Sequence, residues 1–252
     1  MNFGLIGDIH ANLPALEAVL VELDSYGVDR IFDVGDLVSY GPFPNEVIHL
    51  VQERGIVPIQ GNRDRDVYDF HQAEALPRNN GGKLSRAQMK SLSYGWTYSK
   101  LTAGELHYLR SLPERLSVCI DSHRLLMVHS TVRPKIPPLR PDTPESEFQK
   151  VALEVAEDII AFGHTHASFV REVAGKLFVN TGSVGRPGDG DPRAAYALLT
   201  IESGQVVAKV RRVSYDLGKT VEAVYKSDLP DEFALMFIQG RQLDDVVGLG
   251  ER

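Results

Sequence analysis

Seven residues able to ligate a metal recur along this chain in five short pieces. They are Asp8 and His10 in G-D-I-H, Asp36 in G-D-L, Asn62 in G-N-R-D, His129 in M-V-H-S, and His164 with His166 in G-H-T-H. Each piece follows a run of apolar, strand-like residues, and strand ends at one edge of an open α/β sheet are where such folds build their sites. Imidazole and oxygen ligands in this mixture and number are what two divalent cations need. In extended chain, residues i and i+2 project to the same side. Asp8 with His10, and His164 with His166, should therefore each converge on one ion, with Ile9 and Thr165 turned away. Asp36 stands alone between these groups, and a carboxylate with two oxygens and a negative charge suits a bridge between two cations. The neutral amide of Asn62 suits a site already rich in negative charge. Gly7, Gly35, Gly61 and Gly163 precede four of the ligand positions, where a backbone turn that a Cβ would hinder is expected.

The elements that must position these residues alternate early in the chain. Strand-like runs at 2–6, 30–34 and 56–59 are separated by helices expected at about 13–24 and 44–54, in the manner of βαβ units. Asn12 is a natural N-cap for the first helix, with Pro14 in its first turn and Leu13, Leu16, Leu20 and Leu23 on one face. The stretch 64–112 is helical and polar, with Asn79-Asn80-Gly81-Gly82 as a loop and Thr102 to Glu105 as a capping box. Strands follow near 116–121, 124–129, 158–162, 168–173, 176–180, 194–201 and 205–213, with hairpin turns at Asp121-Ser122 and Ser203-Gly204 and a helix at about 145–157. Ligands come from both halves. That implies two facing mixed sheets with helices outside, an α/β sandwich formed by residues 1–252 as one domain. The segment 64–112 would be a helical insert beside the site. A helical tail from about 218, with Leu217, Val221, Val224 and Tyr225 at helical spacing, would cover the core or meet a partner chain.

With these motifs in order, D-x-H, G-D, G-N-x-D, a lone His after a strand, then G-H-x-H, the chain resembles the calcineurin-like metallophosphoesterases. Within them it resembles the small bacterial and archaeal phosphodiesterases of the YfcE-like branch. The likeness extends through D-I-H-A-N-L-P-A-L-E-A-V-L and through N-T-G-S-V-G-R-P-G-D-G-D-P-R at 180–193. It implies the αββα fold, two divalent metal ions and hydrolysis of a small phosphoester or nucleotide by water activated between them. Manganese leads among the metals, with iron, zinc and cobalt also suited to the ligands. Asp8, His10 and His166 would hold one ion, Asn62, His129 and His164 the other, and Asp36 would bridge. The resemblance also makes a homo-oligomer plausible.

One departure matters more than the matches. The family carries G-N-H-D where this chain has Gly61-Asn62-Arg63-Asp64. The family's His meets the phosphate and protonates the leaving oxygen. Arg63 can fork onto phosphate oxygens but does not surrender a proton near neutral pH. Losing a general acid costs about 10²–10⁴-fold with a poor leaving group, and less with an aryl ester or a phosphoanhydride. Either the substrate is of the second kind, or another group such as Asp64 or a metal-bound water delivers the proton. Tyr40 is a candidate to line the substrate pocket, and Arg186 and Arg193 are candidates to meet a second phosphate. Asn180-Thr181-Gly182-Ser183 reads equally as a tight turn or a phosphate-side loop.

Three functions stay open at this point: a phosphodiesterase, a phosphomonoesterase or dinucleoside-polyphosphate hydrolase, and a metal-binding scaffold without catalysis. The scaffold reading draws on the missing His, and the complete ligand set weighs against it. At 252 residues and 43% hydrophobic content the chain can bury a sizeable core. A net charge of -7 argues against stable nucleic-acid binding while leaving a nucleotide substrate open. A single cysteine, Cys119, fits a reducing compartment. No signal peptide or membrane span is evident, so a cytoplasmic enzyme is expected. His49, His71, His107 and His123 have no converging partners and are expected to be surface or structural residues.

Overall fold

Alternation along the first strand settles the layering. In β1 (Asn2–Ile6) Phe3 and Leu5 enter an apolar layer between two sheets, while Ile6 enters a second layer beneath helices. The computed structural model describes residues 1–70, 84–132 and 136–248. His71 and the Asn79–Gly82 loop lie outside them. In chain order, β1 is followed by α1 (Leu13–Ser25), β2 (Arg30–Asp33), α2 (Pro44–Glu53), β3 (Val57–Pro58), α3 (Asn62–Tyr68), α4 (Arg86–Lys100) and α5 (Ala103–Ser111). Then come β4 (Arg115–Ile120), β5 (His123–Val128), α6 (Glu145–Glu154), β6 (Ile159–Phe162), β7 (Phe169–Val173), β8 (Lys176–Asn180), β9 (Ala194–Glu202) and β10 (Gln205–Val213). The described chain closes with α7 (Leu217–Tyr225), α8 (Asp231–Gln239) and α9 (Leu243–Gly248).

The strands form two five-stranded mixed sheets, in the orders β10-β9-β1-β2-β3 and β4-β5-β6-β8-β7. Each contains a parallel trio, β1-β2-β3 in one and β5-β6-β8 in the other. The inner layer packs Phe32, Val34 and Leu199 of the first sheet against Leu125, Met127, Ile159 and Val179 of the second. Outside the first sheet, α1 and α2 bury Leu16, Val19, Leu20, Val47 and Val51. Outside the second, α6 buries Phe148 and Val151 against Leu126, Ile160 and Phe178. This is the expected α/β sandwich with helices on both faces. No helix among the described residues is long and apolar enough to cross a membrane.

The local expectations hold with instructive exceptions. Asn12 caps α1, its side chain accepting from Ala15 N, and Thr102 and Glu105 form the capping box of α5. The third strand is only two residues long. Its Pro58 has no N–H to extend a ladder and sits on the sheet's edge strand. Helix α6 stops at Glu154 rather than 157, because the chain turns extended at Val155 and Asp158 must accept from Arg124 N at 2.8 Å. Tyr225 was expected on an apolar face but is half exposed, while Val224 beside it is fully buried.

Candidate metal centre

All seven predicted ligands lie beyond the carboxyl ends of the two parallel trios. Asp8 and His10 follow β1, Asp36 follows β2, and Asn62 follows β3 at the first turn of α3. His129 follows β5, and His164 and His166 follow β6. The two sheets thus face one another across a single edge, and the loops meet there.

The extended-chain account of the D-x-H and H-x-H pairs is incorrect: Asp8 and His10 do come together, with His10 Nε2 3.7 Å from Asp8 Oδ1, but His164 and His166 part and join different donor groups. Asp8, His10, Asp36, His164 and His166 have φ of 52°, 49°, 62°, 64° and 59°, all in the left-handed region. Such residues cost about 1–3 kcal/mol each and concentrate at functional sites. Here the loops hold each other. Asp8 N donates to Gly35 O at 2.9 Å, His10 N to Asp36 O at 3.0 Å and Ala11 N to Leu37 O at 2.8 Å. The glycine expectation also needs revision. Gly35 has φ of 96° and provides the turn. Gly61 and Gly163 are required instead by close approach, since a Cβ would fall 2.1 Å from Asp36 Oδ1 and 2.2 Å from Asp8 Oδ2 respectively.

Two groups of donor atoms result. In the first, His166 Nε2 lies 3.1 Å from Asp8 Oδ1 and 3.2 Å from His10 Nε2. In the second, Asn62 Oδ1 lies 3.1 Å from His129 Nε2 and 2.9 Å from His164 Nδ1, which are 3.3 Å from each other. Asp36 stands between them, with Oδ2 3.8 Å from His10 Nε2 and 3.3 Å from His129 Nε2. Asp8 also reaches towards the second group, its ligand atom within 4.8 Å of those of Asp36 and His129. Three rings are fixed from behind by backbone carbonyls. His10 Nδ1 donates to Val38 O, His129 Nδ1 to Val34 O and His166 Nδ1 to Arg186 O, so each turns Nε2 inward.

This donor set fits divalent cations. Asp8 Oδ1 is buried and accepts no hydrogen bond, while Oδ2 accepts from His164 N at 2.8 Å. An unpaired buried carboxylate oxygen facing two imidazole nitrogens is a site that lacks only positive charge. Electrostatics agree. Burial disfavours the charged form of both Asp36 and His129, but their mutual attraction prevails. Asp36 is held well below the usual carboxylate range, first by His129 and then by His10 and Arg63, and His129 is raised to about 10. Asp8 is likewise lowered, against its burial, chiefly by His166. Burial pushes His10 well below its ordinary value.

Arg63 leaves α3 beside this cluster. Its N–H donates to Asp36 Oδ1 at 2.7 Å, and its guanidinium donates to Asp66 and to the Tyr94 hydroxyl. Burial opposes its charge, but Tyr40, Tyr94, Asp36 and Asp66 together raise its pKa, so it is a fixed cation. Asp64 does not line either of the two cavities at the site. It is fully buried, and its two oxygens accept from Gly61 N at 2.8 Å, Asp36 N at 3.0 Å and Val38 N at 3.2 Å. It anchors the Asp36 loop. Burial, followed by repulsion from Asp36, raises its pKa to about 7.

The sequence profile of the calcineurin-like phosphoesterase superfamily domain matches residues 1–204, which contain every ligand position. The chain belongs to that superfamily. It is 29% identical over 254 residues to an uncharacterized protein of Methanocaldococcus jannaschii, covering 94% of this chain and 97% of the relative. A solved metallophosphoesterase from Sphaerobacter thermophilus is 30% identical with a TM-score of 0.72, covering 95% and 100% of the two chains. A hypothetical protein of Pyrococcus horikoshii shares the fold at 21% identity and a TM-score of 0.79, covering 96% and 99%.

In this phosphoesterase two clefts flank the ligands. One, of about 330 Å³, opens beside Asn62 and His129. The other, of about 340 Å³, opens beside His164 and His166 and contains Arg63, Tyr40 and Arg186. Tyr40 is almost fully buried, its ring 4.5 Å from the Arg186 guanidinium carbon and 5.9 Å from that of Arg63. It holds the two cations in place. Arg193 is exposed, pairs with Asp191 and does not line the cleft. The 180–183 segment is a buried tie, not a phosphate loop. Asn180 donates to Gly163 O and Thr165 Oγ1, and Ser183 Oγ donates to Asp8 O.

Lys90 and Arg86 on α4, Arg140, and Gln242 from the tail also line the second cleft and were not foreseen. They lie outside every motif, and only the closure of the chain brings them here. His49 and His107 are exposed, as expected, and His123 is half-buried at a hairpin.

Proposed function

We propose that this chain hydrolyses diesters of phosphoric acid in small soluble molecules, using two divalent metal ions. The observation that carries this reading is the convergence of Asp8, His10 and His166, and of Asn62, His129 and His164, on either side of Asp36. When bound there, a pair of divalent cations supplies Lewis acidity to the phosphoryl group and a nucleophilic water at neutral pH. Manganese suits the mixed nitrogen and oxygen donors, as do iron, zinc and cobalt.

The chain's own residues do the remainder. Asp36 supplies negative charge to both ligand groups, and the Val38, Val34 and Arg186 carbonyls fix three of the four imidazoles. Arg63, fixed between Tyr40 and Tyr94, presents positive charge to the oxygens that gain charge during displacement. It does not protonate a leaving group. We further propose that the chain acts as one domain in the cytoplasm, as a homo-oligomer and without stable nucleic-acid binding. Its single, free cysteine and its net charge of -7 support the compartment and the absence of nucleic-acid binding.

The test is hydrolysis of bis-p-nitrophenyl phosphate against p-nitrophenyl phosphate, by metal-stripped protein resupplied with manganese. We expect metal-dependent cleavage of the diester that is lost in Asp36→Asn. Turnover of the monoester alone would replace this reading with a phosphatase. No turnover of either by metal-loaded protein would point to a scaffold.

A further inference from the structure

An alkoxide leaving group needs a proton, and Arg63 has none to give near neutral pH. Other groups that line the same cleft are mostly committed elsewhere. Asp189 is engaged by Arg212 and Asp244 by Arg86, while His164 and His166 belong to the two ligand groups. Tyr40 is buried, its ring carrying two guanidiniums, and Arg86, Arg140 and Arg186 share the limitation of Arg63. The opposite cleft holds one carboxylate, Glu114, and Arg65 engages it. Lys90 is the lining side chain left with a transferable proton. Its helix is locked to the site. On α4, Ser93 Oγ accepts from Tyr40 N at 2.8 Å, and the Tyr94 hydroxyl accepts from the Arg63 guanidinium. Lys90 lies one turn before both contacts and on the same face, half-buried in the cleft beside Arg63. Its surroundings suit the task. Burial lowers its pKa from the ordinary lysine value; Arg63 and Arg86 lower it further, and Arg186 adds to them against the pull of Asp244. Such an ammonium is a better acid than that of a free lysine.

We propose that Lys90 protonates the leaving oxygen, which extends the substrates of this site to diesters with alkyl leaving groups. This rests on the phosphoesterase reading above. Two side chains then divide the work, Arg63 supplying fixed charge and Lys90 the proton. The attacking water oxygen bonds to phosphorus, and the bond from phosphorus to the leaving oxygen breaks. The electron pair of that bond stays on the leaving oxygen, which takes a proton from Lys90 Nζ and departs as an alcohol. The attacking water gives up a proton to solvent, and the amine left on Lys90 recovers one from solvent. Neither side chain lies in a ligand motif, and the fold of α4 against the loop after β2 is what brings Lys90 to Arg63.

Two variants of the manganese-loaded protein test this. Lys90→Met removes charge and proton together, and Lys90→Arg keeps the charge on a good helix former that gives up no proton. Lys90→Met should cut kcat by about a hundredfold or more on alkyl diesters of glycerol and ethanolamine. On bis-p-nitrophenyl phosphate, whose leaving group departs unaided, the loss should stay below about tenfold. Lys90→Arg should restore KM on the alkyl diesters but not kcat, and it decides the question alone if Lys90→Met does not fold. In the wild type, kcat on alkyl diesters should fall as pH rises through the lowered Lys90 value, since the acid must be protonated; the nitrophenyl diester should lack this limb. Restored kcat in Lys90→Arg, equal losses on both substrates, or wild-type turnover of the nitrophenyl diester alone would overturn the proposal. Acetylation followed by mass spectrometry gives a readout without turnover. Lys90 should reach half its limiting rate at a pH below that of free lysine, and a midpoint at or above it would also overturn the proposal. No turnover of the nitrophenyl diester by the wild type would sink the phosphoesterase reading and this proposal together, an outcome distinct from the others.

Discussion

Arg63 is the residue at which this chain departs most from its superfamily's motif, and its chemistry makes a direct prediction. Its guanidinium stays charged at any working pH, so it stabilises charge but donates no proton. Arg63→His should raise turnover on alkyl diesters, whose leaving groups need a proton, more than on nitrophenyl esters, whose leaving groups do not. Equal changes on the two would remove this account of Arg63. His129 carries a second prediction. In the metal-free protein its pKa is raised to about 10, so at pH 7.5 it is protonated and Nε2 holds the proton that a cation must displace. Manganese binding should therefore release close to one proton from this residue. Apparent metal affinity should climb by about tenfold per pH unit between pH 7.5 and 9, because the protonated form competes and is depleted as pH rises towards the folded value. Calorimetry in buffers of different ionisation enthalpy reads the released proton, and a release near zero at pH 7.5 would contradict the raised value.

At the scale of elements, the ligand loops work as interlocked backbone, and Gly61 shows how tightly. A Cβ there would meet both Asp36 N and Asp36 Oδ1 at 2.1 Å, atoms that cannot retreat because Asp64 fixes the same loop from beneath. Gly61→Ala should shift Asp36, lower metal content and cut activity by about a hundredfold or more, as expected for misplacement of a reacting group. Gly27→Ala, open to solvent, makes a control for alanine in place of glycine, although its φ of 59° still strains the backbone. If Gly61→Ala kept full metal content and rate, the close approach would have no functional meaning. These loops also show where sequence reasoning stopped. The candidate ligand residues, their order at strand ends and most helix and strand positions were legible, because motif spacing and period-two alternation are local signals. The left-handed backbone at Asp8, His10, Asp36, His164 and His166 was not, since it arises from hydrogen bonds between loops distant in sequence. Asp64 was misjudged for the same reason. Nothing local shows that both its oxygens face three backbone N–H groups of folded neighbours.

Across the whole molecule, the tail supports the site from outside the matched superfamily region. Helices α7 to α9 bury Val224, Phe233, Met236, Phe237 and Leu243 with Met89 of α4 and with Tyr40 from the ligand loop after β2. Phe233 meets the Tyr40 ring edge-on at 5.3 Å, and Tyr40 in turn carries the guanidiniums of Arg186 and Arg63. A sequence pattern shows that the tail is amphipathic, but not that its buried face reaches the residue that spaces two cleft cations. Phe233→Ala removes a fully buried ring and should destabilise the fold by about 3–5 kcal/mol. The candidate metal ligands follow strands of the two sheets rather than lying on the tail, so manganese content of the folded variant should hold near the wild-type level. Tyr40 loses its backing, and the two guanidiniums lose their fixed spacing. Substrate KM should therefore rise several-fold at retained metal content, measured below the variant's lowered Tm. A variant with lowered Tm and unchanged KM would make the tail a stabiliser of the core alone. Loss of metal in step with stability would place its influence at the ligand loops instead of the cleft.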